Sequence, residues 1–289
     1  MVSTRSSFAA HDKVAAVMHT CETEFGKPIE VVKEITSIPN PNRAVLLVQF
    51  AGGLKVKLCV ADFCFDTATR FADLIAGLRF PKVLLQGEGW AAFEWIEGQP
   101  VSELPFRTSL IETAARVLRS VHEAKVEIKT GVRLAAFEEA HLKLQKNLPL
   151  LISHGILSEQ QSQTITDLHR SLSPERLNIS LIHGDFSPEN LVVCGSELSV
   201  VDNDKMRVHV TDYDVCRAST LWEQWGRCND MLLDTYKRQS SLQFDPASLR
   251  FWEIYDLVYR IGYRLSGLAE RNEFLIMKLR RILATGVSP

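Results

Sequence analysis

Residues 181–193 read LIHGDFSPENLVV, and residues 198–202 read LSVVD. The first stretch is an apolar run that leads into a His-Gly-Asp triplet ending at Asp185, with Asn190 five positions later. The second is an apolar run that ends directly in Asp202. Short apolar runs bounded by Gly, Ser, Pro and Asn are typical of buried strands joined by tight turns. The pattern therefore predicts a strand, a loop and a hairpin, with the three polar residues beside the strand ends.

These three residues, in this order, have the functional groups that phosphoryl transfer from a nucleotide requires. The reaction needs a carboxylate that orients the attacking hydroxyl and accepts its proton, and two oxygen ligands for Mg²⁺. Asp185 is predicted to be the catalytic base, and Asn190 and Asp202 are predicted to be the magnesium ligands. The alternative for Asp185 and Asn190 is a role in shaping the turn, and Asp204 could replace Asp202 as the ligand.

The composition is that of a globular protein with a substantial core. The chain has 289 residues, of which 46% are hydrophobic and 24% charged. A formal net charge of −2 gives no overall basic surface for nucleic acid. No apolar stretch approaches the roughly 20 residues that cross a bilayer, and the polar N-terminus lacks the apolar core of a signal peptide. We therefore expect a cytoplasmic protein with no transmembrane segment and no nucleic-acid partner.

The cysteines do not form a recognisable metal or disulfide pattern. All six are scattered, with no C-x-x-C pair and no histidine at zinc-finger spacing. This distribution argues against a structural metal or a disulfide framework.

The first 97 residues have the pattern of a small, β-rich unit. An amphipathic helical pattern covers residues 8–25, and Gly52 and Gly53 mark a hairpin turn between two strand-like segments. The predicted strands are 29–35, 44–50, 54–60, 82–85 and 90–96, with a helix from about 67 to 77 after the third.

From residue 98 onward the apolar residues recur at helical spacing. One helix ends at His122, a polar helical region from about 133 to 173 is broken near Pro149, and further helices run from about 220 to 284. The segment 97–100 is the predicted boundary. We therefore predict an α+β protein with an N-terminal lobe, residues 1–97, and a larger, mostly helical C-terminal lobe, residues 98–289. The N-terminal lobe would hold a small antiparallel sheet and one helix.

A nucleotide-binding lobe needs a cation for the phosphates. Lys57, on the third predicted strand, is the candidate, although Lys55 lies on the same strand face and sequence alone does not separate the two. An acidic partner on the following helix would be Asp73, or alternatively Asp66.

The end of the fifth predicted strand is the candidate adenine site. Backbone groups of Glu94 and Ile96 could bind an adenine edge, with Phe93 as an inner wall, although a plain edge strand would have the same sequence. The loop 37–43 would cover the phosphates, but it has no glycine and two prolines, so it offers few backbone N–H groups. Its side chains, including Arg43, could replace them.

Two more residues are predicted to have structural roles. His122 follows an apolar helical stripe and is expected to be structural. Asp214 is expected to be a buried carboxylate that holds the backbone of the catalytic loop.

Asp185, Asn190 and Asp202, together with the segments WIEG at 95–98 and LRSVH at 118–122, form a pattern that is similar to one in a known group of enzymes. The chain resembles the kinase-like phosphotransferases of the aminoglycoside phosphotransferase and choline kinase group, and in part the lipopolysaccharide core (Kdo and heptose) kinases. The resemblance covers about 29–220 and is most specific at 181–217. It implies a bilobal, protein-kinase-like fold, ATP and Mg²⁺ as cofactors, and a small-molecule hydroxyl acceptor.

The chain departs from protein kinases in the segment after Asp202. Asn203 stands where they have Phe, and only about ten residues separate Asp202 from Asp214, too few for a long activation segment. This favours a constitutively competent small-molecule kinase over a regulated protein kinase.

Charge gives one indication of the acceptor. From Lys237 to the end there are about nine Lys or Arg against five Asp or Glu, which favours a neutral or anionic acceptor such as a sugar or polyol. The alternative is a cationic aminoglycoside, for which an acidic pocket could be built from Glu138, Glu139, Glu223, Asp230 and Asp234. An alternative of another class is a pseudokinase that binds nucleotide without catalysis.

Overall fold

The structure is a computed structural model that describes residues 6–35, 43–61, 71, 74–75, 77–174, 176–195, 197–225, 231–265 and 272–285. The chain divides into two compact units. The first consists of Met1–Gln99 and Leu191–Asp204, and the second of Pro100–Asn190 and Lys205–Pro289.

The first unit is built on a five-stranded antiparallel sheet with strand order β1-β2-β3-β5-β4. One face of the sheet, with Val48, Val56 and Leu58, packs against Val17 and Cys21 of the first helix. Its elements are α1 (Ser6–Phe25), β1 (Ile29–Glu34), β2 (Arg43–Phe50), β3 (Lys55–Ala61), β4 (Val83–Gly87) and β5 (Trp90–Glu94).

Lys57, the candidate phosphate-binding lysine of β3, lies on the opposite face of the sheet. Side chains alternate between faces along a strand, so Lys57 lies on the face opposite Val56 and Leu58. Cys59, Val45 and Phe93 form a second buried cluster on that face. Lys57 thus lies on the same face of the sheet as this buried apolar cluster.

A hairpin from later in the chain completes the first unit. It consists of β8 (Leu191–Cys194) and β9 (Glu197–Val200), with Leu191 paired to Val200. Arg79 bridges to Ser199, which ties the hairpin to the segment before β4. Sequence interpretation had placed residues 191–204 with the C-terminal lobe, whereas their contacts group them with the first unit.

The second unit is mostly helical. A short antiparallel pair, β7 (Ile179–Ile182) and β10 (Arg207–Val210), carries the loop that begins at His183. Short β6 (Gln99–Pro100) stands at the boundary of the two units, and the helices are α2 (Thr108–His122), α3 (Val132–Ser153), α4 (Glu159–Ser171), α5 (Thr211–Gln224), α6 (Met231–Gln239), α7 (Pro246–Leu265) and α8 (Glu273–Thr285).

Helix α7 is the centre of the core of the second unit. Trp252, Tyr255, Val258 and Ile261 are fully or almost fully buried at helical spacing, in a cluster with side chains of α3, α4, α5 and α8. The sequence-predicted break near Pro149 is wrong, because α3 continues to Ser153. The helix ends one turn later, where Gly155 has a φ of 67° and its N–H donates to the Ile152 carbonyl.

The predicted α+β class is confirmed. The predicted strands agree with β1–β5 to within about two residues at each end. The predicted helix 67–77 lies outside the described residues apart from residues 71, 74, 75 and 77. Among the helices that the structure describes, none is long and apolar enough to cross a membrane.

The close approach of α3 and α7 leads to a stability prediction. A Cβ on Gly262 would lie 2.1 Å from Asn147 Oδ1 and 2.8 Å from Asn147 Cβ. Asn147 is buried and donates to the Lys143 carbonyl, so it has little freedom to move. Gly262→Ala should therefore lower the free energy of unfolding by about 1–3 kcal/mol, despite the roughly 1 kcal/mol that alanine gains over glycine in a helix. Urea unfolding measures this loss.

The matched background is Asn147→Ala, which removes the two atoms closest to the new methyl group. Gly262→Ala should lower the free energy of unfolding by less in that background than in the wild type. An equal cost in both backgrounds would mean that Asn147 is not the source of the strain.

Candidate active site

A buried carboxylate shapes the loop that follows β7. The backbone N–H groups of His183 and Gly184 donate to Asp214 Oδ2 and Oδ1, at 2.9 Å and 2.8 Å. Asp214 lies in the first turn of α5 with no solvent exposure. The expectation that Asp214 holds the backbone of this loop is thus confirmed.

Asp214 is in turn bound by His122 at the end of α2. His122 Nε2 lies 3.0 Å from Asp214 Oδ2, and His122 Nδ1 lies 2.6 Å from the Tyr236 hydroxyl. Burial alone would raise the pKa of Asp214, but the hydrogen bonds from His122 and from the His183 N–H hold this pKa below its ordinary value. His122 is therefore a structural residue of the loop, as the sequence indicated.

Asp185, the predicted base, lies between two cations. Its Oδ2 accepts from Lys205 Nζ at 2.6 Å, and its Oδ1 accepts from Arg217 Nη2 at 3.0 Å. Burial would raise the pKa of this carboxyl, but Lys205 and Arg217 hold it well below its usual range. Asp185 is therefore ionised at neutral pH and can accept a hydrogen bond from a hydroxyl group.

Arg217 extends this pairing into the core of the second unit. Its Nη1 donates to Asp256 Oδ1 at 2.7 Å, and Asp256 Oδ2 accepts from Arg260 at 3.5 Å. Arg260 also donates to Gln224 at 2.9 Å. The four charged side chains, two acidic and two basic, compensate one another in a site where water is largely excluded.

Asn190 is oriented by the same loop. It ends the 3₁₀ turn Pro188–Asn190, and its N–H donates to the Ser187 carbonyl at 3.0 Å. Its side-chain Nδ2 donates to the backbone carbonyl of Asp185 at 2.8 Å. Because the amide nitrogen is engaged in this bond, Oδ1 is the side-chain atom suited to bind a cation.

Asp202 follows β9 in the first unit, and its backbone is strained. In the part of the chain that the structure describes, it is the one non-glycine residue with positive φ, at 60°. Such a conformation costs about 1–3 kcal/mol and is typical of functional sites. Its Oδ1 accepts from Lys57 Nζ at 2.7 Å and from Arg43 Nη2 at 3.4 Å.

Lys55 and Lys57, the two candidates for the phosphate-binding lysine, lie in different surroundings in the structure. Lys55 pairs with Glu97 on the surface at 2.6 Å. Lys57 is largely buried; burial would lower its pKa, but the charge of Asp202 raises it above the ordinary value. Lys57 is thus held as an ammonium against Asp202.

Arg43, at the start of β2, binds both carboxylates of the 202–204 segment. Its Nη1 lies 3.1 Å from Asp204 Oδ2, in addition to the contact with Asp202. The rest of loop 37–43 lies outside the described residues, as does Asp73, the predicted acidic partner of the lysine.

The predicted adenine-binding residues lie around the end of β5. Phe93 is buried in the cluster with Val45, and Ile96 is also buried. The Glu94 N–H donates to the Lys82 carbonyl at 2.8 Å, and its carboxylate accepts from Arg79 at 3.1 Å. The N–H and carboxylate of Glu94 are therefore engaged within the sheet.

Sequence reasoning missed the partners of Asp185. Lys205 and Arg217 are 20 and 32 positions away from it, and their pairing depends on the placement of β10 and α5 beside the loop. The usable signal was the cluster of basic residues at 205–217, directly after the predicted metal ligand.

The sequence profile of the phosphotransferase enzyme family matches residues 65–252. No curated protein sequence matches the chain.

Solved structures share the fold at low sequence identity. Spectinomycin phosphotransferase APH(9)-Ia, solved with ADP and spectinomycin, aligns over 95% of this chain and 94% of its own, at 14% identity and a TM-score of 0.61. A thermostable mutant of aminoglycoside phosphotransferase APH(4)-Ia aligns over 94% of this chain and 100% of its own, at 14% identity and a TM-score of 0.68. Choline kinase LicA from Streptococcus pneumoniae aligns over 95% and 100%, at 12% identity and a TM-score of 0.64.

These likenesses confirm the predicted protein-kinase-like fold. The family profile spans about two thirds of the sequence. The chain therefore belongs to the phosphotransferase enzyme family, and it is a kinase that acts on hydroxyl groups of small molecules.

Proposed function

We propose that the protein transfers the γ-phosphoryl group of ATP to a hydroxyl group of a sugar or polyol. The observation that carries the proposal is the Asp185 carboxylate, which is kept ionised by Lys205 and Arg217 on a loop held by Asp214. The use of ATP is supported by two structural neighbours, one solved with ADP and spectinomycin and one with AMP-PNP and hygromycin B.

In this mechanism Asp185 binds the hydroxyl of the acceptor and orients its oxygen toward the γ-phosphorus. The O–P bond forms while the bond to the ADP oxygen breaks, and the hydroxyl proton passes to the Asp185 carboxylate. A carboxylate of low pKa is a weak base, so the proton moves late. This timing fits the loose transition state of phosphoryl transfer, in which positioning matters more than base strength.

Asn190 and Asp202 are the residues that we assign to magnesium. One amide oxygen and one carboxylate, with phosphates and water, form the hard-oxygen ligand set that Mg²⁺ prefers. The bound ion would neutralise charge on the phosphates.

Lys57 and Arg43 are assigned to the phosphates of the nucleotide. Both already contact Asp202, so each lies beside a predicted metal ligand. Arg43 stands at the end of the glycine-free loop, and a guanidinium can supply the donors that such a loop lacks. Phe93 and the backbone near Glu94 and Ile96 remain the proposed adenine contacts, with Asp73 a proposed partner of the phosphate-binding lysine.

The charges around Asp185 favour a neutral or anionic acceptor over a polycation. Two cations contact its carboxylate, and a cationic aminoglycoside would be repelled by them. Two of the acidic residues available for an aminoglycoside pocket are neutralised, since Glu223 pairs with Lys278 and Glu139 contacts Arg207 and His209. Asp230 lies outside the described residues.

The first prediction concerns the base. Asp185→Asn keeps the shape of the side chain but removes the charge that accepts the proton, so kcat should fall by roughly 10²–10⁴. The affinity for ATP, measured by calorimetry, should remain within about threefold of wild type because Asp185 is not assigned to the nucleotide. Turnover equal to that of wild type would rule out Asp185 as the base.

The second prediction concerns the metal ligand. Asp202→Ala should abolish the magnesium-dependent part of ATP binding, measured by calorimetry with and without Mg²⁺. Asp204→Asn is the matched control, because it changes a neighbouring carboxylate that also contacts Arg43. If only the Asp204 variant lost magnesium dependence, the ligand would be Asp204.

The third prediction concerns the acceptor. A coupled assay of ADP release should show turnover with sugars or polyols and much less with aminoglycosides or choline-like alcohols. Turnover confined to aminoglycosides would support the alternative acceptor. Nucleotide binding without turnover on any acceptor would indicate a pseudokinase.

A further inference from the structure

The charges around Asp185 do not cancel. Asp185, Arg217, Asp256 and Arg260 form a connected chain of two carboxylates and two guanidinium groups, which is neutral as a set. Lys205, which contacts Asp185 at 2.6 Å, adds one positive charge to this set. Arg217 thus supplies one countercharge to Asp185, and Lys205 supplies a second.

Lys205 also differs from Arg217 in exposure. The Arg217 side chain is 10% exposed and bonded at both ends, whereas that of Lys205 is 39% exposed. Ion pairs with such exposure contribute little to stability, because water screens them. The position of Lys205 is therefore better explained by a ligand than by folding.

The backbone of Lys205 is fixed although its ammonium is accessible. Gly184 has a φ of 79°, and a Cβ there would lie 3.0 Å from the Lys205 carbonyl oxygen and 3.2 Å from Lys205 Cβ. The loop that carries Asp185 thus packs directly on the start of the lysine side chain. Four flexible methylene groups then allow the ammonium to move a few ångströms from Asp185 Oδ2.

We propose that Lys205 is a catalytic residue that binds the transferred phosphoryl group. The inference rests on the proposed function and names a group that the family match does not assign. Arg217 occupies Oδ1 of Asp185, so the acceptor hydroxyl binds at Oδ2, where Lys205 now lies. The hydroxyl displaces the ammonium, which moves to a non-bridging oxygen of the γ-phosphoryl group.

The exchange affects both the Asp185 carboxylate and the transferred phosphoryl group. Asp185 Oδ2 exchanges the Lys205 ammonium for the acceptor hydroxyl, whose proton the carboxylate then takes. The ammonium neutralises charge on the phosphoryl oxygens while the O–P bond forms and the bond to ADP breaks. Binding of the acceptor therefore moves the Lys205 ammonium to the transferred phosphoryl group, which it stabilises.

The test compares Lys205→Met with wild type in binding two nucleotides. With Mg²⁺ present, calorimetry should show about tenfold weaker binding of AMP-PNP but less than about a twofold change for ADP, because only AMP-PNP carries the third phosphate. Lys237→Met, which removes an exposed lysine on α6, is the charge-matched control and should change neither affinity. Lys205→Arg should restore part of the AMP-PNP affinity.

With an acceptor from the screen, kcat of Lys205→Met should fall by roughly 10²–10³ while KM for the acceptor stays level or decreases. The melting temperature should stay within about 2 °C of wild type, since the Lys205 side chain is partly exposed and Asp185 keeps its bond to Arg217. Equal weakening of both nucleotides, or a large loss of melting temperature, would mean that Lys205 is structural. If wild type itself bound neither nucleotide, the proposed function would fail as well; if wild type bound both and Lys205→Met did not differ, only the role of Lys205 would fail.

Discussion

The Asp214 carboxylate is the constraint on which the rest of the second unit's candidate site depends. Both of its oxygens accept backbone N–H groups, from His183 and Gly184, and His122 binds one of them from the opposite side. A fully buried carboxylate left without these donors would cost several kcal/mol, so the loop has one favourable conformation. That conformation determines the backbone position of Asp185, and therefore where its side chain contacts Lys205 and Arg217. Main-chain bonds to a buried charge thus position the site, together with the packing of Phe186 against Trp222.

Local features of this arrangement could be predicted from sequence. Asp185 and Asn190 lie five residues apart in one loop, and the apolar run before Asp202 indicates the end of a strand. Both features can be recognised as patterns in the sequence. The buried role of Asp214 followed from the same segment. These are short-range relations, in which the order of residues nearly determines their placement.

Relations between distant residues could not be predicted in this way. Lys55 and Lys57 share a strand face, and what separates them is the position of Asp202, 145 residues after Lys57. The break expected at Pro149 is absent because Leu148 and Leu151, on either side of the proline, pack into the core cluster around α7, and these tertiary contacts outweigh the local preference of proline. The chain Asp185–Arg217–Asp256 requires α5 and α7 to be in place, so no local pattern reveals it.

The functional carboxylates of both units share one property: each is already bound to protein cations. Asp202 is paired with Lys57 and Arg43, and Asp185 with Lys205 and Arg217. Without such partners, burial would raise the pKa of Asp185 and weaken its use as a hydrogen-bond acceptor. In the proposed mechanism, substrates would bind by exchange, in which a metal ion or a hydroxyl takes over a carboxylate oxygen and a cation is released. Each released lysine or arginine would then be able to neutralise negative charge on the phosphates. A protein without a glycine-rich phosphate loop can bind a triphosphate in this way, since its side chains replace the missing backbone donors.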